Sequence, residues 1–295
     1  MSFSKNIKEE LSKISNLANK DAVKAELIGY LITNNVSIKK GRIKYSTESE
    51  YNINRFAKLL NNTGISNYEI DIQGKVFSIK IKQALNFNEV EVFEENIVLT
   101  DSFFDFCNTE LLDKSVIRGG FLGSGSINNP ENLYHLEIIY NCEKNANACI
   151  KLLQKYDIQM KKMNNTIYLK EGEQISNFLA FIGANSAVLK FEEIRVIRDM
   201  KNNVNRLVNC ETANLNKTIN AALKQIEDIK YIKKMKKFSQ LPEGLQEIAE
   251  LRVENPEISL IELGKMLSSP IGKSGVNYRL KAISNFADDL RKGNW

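Results

Sequence analysis

A chain of 295 residues can hold two or three domains, and its 43% hydrophobic and 26% charged residues are those of a globular protein, not of a disordered or fibrous one. Four cysteines (Cys107, Cys142, Cys149, Cys210) without a CxxC spacing, beside one histidine, His135, argue against a structural zinc site and for reduced thiols in a cytoplasmic protein. No apolar run reaches about eighteen residues, so no membrane-spanning helix is expected; the net charge of +5 is modest but uneven, with 25 Lys and Arg against 25 Asp and Glu up to residue 199, then 16 against 11.

The N-terminus, "MSFSKNIKEELSKI", spaces its apolar groups as a helix and lacks the pattern of a secretory signal. "DAVKAELIGYLITNN" (21–35) is a second helix, with Val23, Leu27, Tyr30 and Leu31 on one side. Strands follow around 36–47. "NINRFAKLLNNTGI" is a helix stopped at Gly64, and "YEIDIQGKVFSIKI" is a hairpin about Gln73-Gly74. The order then repeats. "NTELLDKSVIRGGFLGSGS" is a helix running into glycines, and "LYHLEIIY" is a half-buried strand on which His135 is a sheet-face residue. "EKNANACIKLLQKYDI" is a helix, "IQMKKMNNTIYLK" a hairpin turning at Asn164-Asn165, and "EQISNFLAFIG" a short closing helix. Two αββαββ units of about 90 residues make an internal pseudo-repeat.

Two long helices are expected next, over 186–201 and 203–237. In the second, Ile226, Ile229, Ile232 and Met235 form an apolar stripe beside the basic run Lys230 to Lys237, which is either a solvated face or a second contact to a nucleic-acid backbone. "NRLVNCETANLNK" is expected to cap helix ends and bridge domains, with Cys210 buried. "LPEGLQEIAELRVENP" is a helix with Pro242 in its first turn, stopped before Pro256; "SLIELGKML" opens with a capping-box spacing, Ser259 to Glu262. The connector "SSPIG" leads into "KSGVNYRLKAISNFADDLRK". These three helices outline a helix-turn-helix domain. Val276, Leu280 and Ile283 face its core, leaving Ser274, Asn277, Tyr278 and Lys281 outward. The candidate DNA contacts are Lys273, Ser274, Gly275, Asn277, Tyr278, Arg279 and Lys281, because Asn can pair with adenine and Arg or Lys with guanine or phosphate.

"RGGFLGSGSINNP" (118–130) carries four of the fifteen glycines. It lacks the Lys of a GxxxxGK[ST] phosphate loop, and Asn128 stands where a GxGxxG motif needs glycine. Glycines on a helix instead permit close helix–helix contact, which makes Gly29, Gly119, Gly120 and Gly123 packing residues. This stretch resembles the LAGLIDADG motif, in which two such helices pack side by side between two αββαββ halves, with "ELIGYLITNN" as the matching helix and Gly29 aligned with Gly120. The resemblance places Asn34 and Gly125 where a LAGLIDADG nuclease carries metal-binding carboxylates. Neither supplies a charged oxygen, so no catalytic residue, metal or cofactor is expected.

The stretches 118–139, 205–229 ("NRLVNCETANLNKTINAALKQIEDI") and 241–280 together resemble the WhiA family of bacterial DNA-binding regulators. The resemblance implies an α+β protein: a degenerate, pseudo-two-fold αββαββ (LAGLIDADG-like) domain in halves 1–95 and 96–200, a helical linker over 201–240, and an all-α helix-turn-helix domain over 241–295, its motif at about 258–291. It implies a non-enzymatic, nucleoid-associated transcription factor tied to cell division, chromosome segregation and, in some bacteria, sporulation. The partners implied are double-stranded DNA, with other regulators, RNA polymerase or division proteins as further candidates, and no membrane or small-molecule substrate. Tyr278 departs from the family's usual histidine. An active metal-dependent homing endonuclease and a protein-interaction adaptor are the alternatives.

Overall fold

The computed structural model describes residues 2–39 and 41–293; Met1, Lys40, Asn294 and Trp295 lie outside it. The chain divides into two compact units, residues 1–200 and 201–295.

The first unit opens with α1 (Phe3–Ser12) and α2 (Lys20–Leu31), then β1 (Val36–Lys39), β2 (Arg42–Thr47), α3 (Glu50–Asn62), β3 (Tyr68–Gln73) and β4 (Val76–Ile81). Apolar side chains on one face of α1 (Phe3, Ile7, Leu11) and α3 (Ile53, Phe56, Leu59, Leu60) are buried. Gly64 and Gly74 take positive φ where the α3 stop and the β3–β4 turn need it. A hairpin absent from the sequence reading follows, β5 (Val90–Phe93) with β6 (Asn96–Leu99), and then the short α4 (Ser102–Phe106).

The second half repeats the first as α5 (Glu110–Ser124), β7 (Ser126–Ile127), β8 (Leu136–Ile139), α6 (Glu143–Gln154), β9 (Lys161–Met163) and β10 (Thr166–Leu169), closed by α7 (Gly172–Ile182). The two four-stranded antiparallel sheets have equivalent orders, β1-β2-β4-β3 and β7-β8-β10-β9. An isolated bridge, Thr33 to Tyr140, joins them. Helices α2 and α5 lie together at the centre, buried almost all round, as a helix pair between two sheets must be. One apolar core runs through both halves, including the ring cluster Tyr30, Tyr45 and Phe56, with centroids 4.6–5.4 Å apart.

The two helices expected over 186–201 and 203–237 are one helix, α8 (Asn185–Lys234). No proline or glycine interrupts these 50 residues, and the polar run 201–203 does not end the helix. Its start is capped by Glu10, whose carboxylate accepts from the backbone N–H of Ser186 (2.7 Å) and Ala187 (3.1 Å). "NRLVNCETANLNK" therefore lies inside α8, capping nothing, and Cys210 is exposed rather than buried. Met235 falls just past the helix end and is 47% exposed, off the expected stripe.

The second unit continues with α9 (Glu243–Glu254), α10 (Leu260–Lys265) and α11 (Lys273–Arg291). Pro242 is the N-cap of α9, one position before its first turn. Ile229 and Ile232 of α8 share a core with Ile248, Leu263, Val276, Leu280 and Ile283. Arg252 is buried and donates to the Ile258 carbonyl (2.9 Å) and to Gln225 (3.1 Å); buried Asp228 pairs with Arg291 at 2.7 Å. The capping box at α10 forms on both arms, Glu262 N–H to Ser259 Oγ and Ser259 N–H to Glu262 Oε2. Ser259→Ala breaks the box and is expected to lower the stability of this unit by about 1 kcal/mol, read as an earlier urea midpoint in circular dichroism.

Candidate nucleic-acid interface

Helix α11 carries the sequence-predicted contacts. Gly264 lets the turn between α10 and α11 close, because a Cβ there would lie 2.3 Å from the Ile271 carbonyl oxygen. Val276, Leu280, Ile283 and Ala287 are buried on one side of α11. Lys273, Ser274, Asn277, Tyr278 and Lys281 are exposed on the rest of its first turns, Tyr278 by 77%. The result is a short run of donors, acceptors and two ammonium groups at the start of a helix, the arrangement that lets an end enter a major groove.

Two of the predicted residues sit differently. Arg279, a candidate DNA contact, is half-buried, and its Nη1 donates to the Gly244 carbonyl of α9 at 3.3 Å, so it braces two helices. Gly275 is half-buried against the Ile271 side chain, 3.2 Å from where its Cβ would be. Neither position was separable by sequence, because a helical wheel places both on the margin between core and surface.

In the first unit the central glycines meet as expected, with a different register. A Cβ on Gly29 would lie 2.1 Å from the Val116 carbonyl oxygen, and one on Gly119 would lie 2.0 Å from the Glu26 carbonyl oxygen. Both obstacles stand three residues before the opposite glycine, so Gly29 and Gly119 are the equivalent pair. Gly120, aligned with Gly29 on the sequence, brings its backbone N near Gly29 but turns the position of its own Cβ to the Tyr140 ring, and Gly123 faces Thr33. The shift of one residue makes Ser124, not Gly125, the counterpart of Asn34. The correction follows from backbone contact, which a glycine-to-glycine alignment in a run of four glycines cannot resolve.

The residues at these positions do not fit a hard divalent cation. Ser124 Oγ donates to the Ile139 carbonyl (2.6 Å) and accepts from its N–H (3.2 Å), and Asn34 is exposed, its backbone N–H donating to the same carbonyl at 3.1 Å. The neighbouring Asn35 Nδ2 donates to the Gly123 carbonyl at 2.7 Å, and Asn52 Nδ2 to that of Leu122 at 2.8 Å. Amide donors thus close the negative end of α5, where a cation would need anionic oxygen. Among the described residues no group of three His, Cys, Asp or Glu converges on a common point. Burial pushes the Cys107 and Cys149 thiols up to about 12, far from the thiolate a nucleophile or ligand requires. His135 Nε2 lies 3.2 Å from Glu137 at the sheet margin and stacks on Tyr168.

Sequence reasoning missed a buried ionic cluster beside the glycine pair. Glu26 of α2, wholly buried, accepts from Arg55 Nε (2.8 Å), Arg55 Nη2 (2.9 Å), Asn16 Nδ2 (3.0 Å) and Arg118 Nη1 (3.3 Å). Arg55 also donates to the Ile14 carbonyl and Arg118 to that of Ile182. Desolvation, with the Arg55 charge behind it, lowers the Arg118 pKa, and Glu26 opposes that fall. The available signal was a lone acid in "AELIGY" and a lone base in "VIRGG", each inside an otherwise apolar helix.

Comparison with known proteins gives one consistent family. The model of the WhiA LAGLIDADG-like domain matches residues 113–201, and that of the WhiA C-terminal HTH domain matches residues 204–287. "Probable cell division protein WhiA" of Staphylococcus aureus (strain JH9) is 40% identical, over 99% of this chain and 98% of that protein. The crystal structure of full-length DUF199/WhiA from Thermatoga maritima is 28% identical, covers 98% of each chain, and superposes with a TM-score of 0.57.

Proposed function

The chain belongs to the WhiA family, and from that premise we propose that it is a sequence-specific DNA-binding transcriptional regulator acting in cell division and chromosome segregation, and in sporulation where the host sporulates. It carries a helix-turn-helix domain and a degenerate LAGLIDADG-like domain. The observation that carries the proposal is the exposed polar start of α11 above a fully buried apolar seam. In this reading Asn277 and Tyr278 meet base edges, and Lys273, Ser274 and Lys281 meet phosphates. Arg279 holds α11 against α9 and so sets the angle at which the helix docks. The place of action is the cytoplasmic nucleoid; no helix among the described residues is long and apolar enough to cross a membrane.

The test uses duplexes selected from a random library by the full chain. Asn277→Ala is expected to weaken the selected site by about 1–3 kcal/mol while leaving unrelated DNA unchanged. Lys281→Ala is expected to weaken both alike and to reduce the salt slope by about one. Fluorescence anisotropy across a salt series separates the two. Binding unchanged in both variants would remove α11 from the interface.

A second reading, a protein-interaction adaptor, is favoured by the middle of α8, where Val204, Leu207, Val208, Leu215 and Ile219 are 46–61% exposed. It predicts no DNA retention even at low salt.

A further inference from the structure

A recess of about 500 Å3 opens where α1, the β2–α3 turn and the C-terminal end of α5 meet. Lys5 and Lys8 come from α1, and Ser46, Thr47 and Ser49 from the end of β2 and the cap of α3, with Ser126 from the start of β7. The first turns of α1 and α3 both open onto it, since their N-caps, Ser2 and Ser49, line it. Two helix dipoles thus present their positive ends to the same space. Among the described residues Glu48 is the one acid on the wall, and it is exposed to solvent.

Lys8 is the unusual group. Its ammonium stands 5.9 Å from the centre of the Phe121 ring, and no carboxylate pairs with it among the described residues. Withdrawal from water lowers its pKa to about 8. Its side chain is half-buried at the edge of the recess, and an anion entering there would be its first charge partner among the described residues.

We propose that this recess is a binding site for a small phosphate-bearing molecule, with Lys8 as its charge partner and the hydroxyls of Ser46, Thr47 and Ser49, with Lys5, around its remaining oxygens. The volume fits a nucleotide-sized ligand, and the walls come from separate segments that fold around it. The site is independent of α11, so the regulator proposed above would carry a ligand-responsive N-terminal unit.

The experiment is a thermal melt of the full chain with inorganic phosphate, against sodium chloride at equal ionic strength. Phosphate is expected to raise the melting temperature of the wild type by about 3–5 °C at tenfold over its Kd. Lys8→Met is expected to lose that response, while Lys13→Met, at the C-cap of α1 and paired with Glu9 at 2.7 Å, keeps it. Circular dichroism confirms that Lys8→Met is folded, and 31P line broadening reads binding directly if the melts do not separate. A short duplex added to the phosphate-loaded protein distinguishes sources: phosphate retained assigns the seat to a free small molecule, and phosphate displaced assigns it to a DNA backbone. An equal shift from chloride, or an equal response in Lys8→Met, overturns the proposal.

Discussion

Gly119→Ala unfolds the first unit or leaves it barely stable. A Cβ there meets the Glu26 carbonyl oxygen at 2.0 Å and the carbonyl carbon at 2.9 Å. Both are backbone atoms of a helix buried on every side, so no rotamer change gives relief. Helix propensity favours alanine over glycine by about 1 kcal/mol, and the clash reverses the sign. Parting α2 from α5 strips contacts from the centre of the core, so the expected loss is at least about 3 kcal/mol. Gly120→Ala is the matched control. Its Cβ meets only side-chain atoms, the Tyr140 hydroxyl at 3.1 Å, so the buried ring need give by no more than a few tenths of an ångström, and the expected cost is about 1 kcal/mol. Calorimetry of the full chain compares the two; equal costs would show that the helices are not in backbone contact.

Glu26→Gln is the second large effect. The amide keeps the shape but removes the negative charge that, among the described residues, stands between Arg55 and Arg118, whose side chains are 2% and 5% exposed. Two guanidinium groups then face each other in a desolvated space. Breaking a buried pair from one side costs about 3–5 kcal/mol, and here one carboxylate serves two partners, which favours the upper end. A unit of this size is expected to melt roughly 10 °C lower. The cluster ties the 14–16 loop, α2, α3, α5 and the end of α7 together, so its loss also frays the start of the chain. Glu26→Gln combined with Arg118→Met should recover part of the loss, because the surplus charge leaves with the arginine. No recovery in the double variant would mean that the charges are not coupled.

Much of the fold was legible because local chemistry and global packing agree. The hairpins at Gln73-Gly74 and Asn164-Asn165 form, with Gly74 and Asn164 both at positive φ. The spacing of Ser259 and Glu262 produces a real capping box, and the repeated αββαββ order gives two equivalent sheets. What failed depended on partners remote in sequence. The break expected near residue 202 does not form, because nothing there, neither proline, glycine nor a competing cap, stops a helix. The hairpin at 90–99 is short and has one exposed edge, so its alternation was too weak to read. At the candidate interface the outward side chains followed from periodicity. The inward turn of Arg279 did not, because it is fixed by the Gly244 carbonyl, 35 positions away. Lys8 gave no signal at all, since nothing in "KNIKEEL" distinguishes a lysine over a ring from one in water.

At the seam between α2 and α5, Thr33 occupies the hollow left by Gly123, its own counterpart in the other half. Two identical subunits meeting about a true dyad could not make this fit, because together they would bring either two threonines or two glycines to the axis. Joining the halves in one polypeptide releases the axis from self-complementarity. Each side can then vary alone, a bulky group in one half answered by a void in the other, at a contact that symmetry would have made either crowded or hollow.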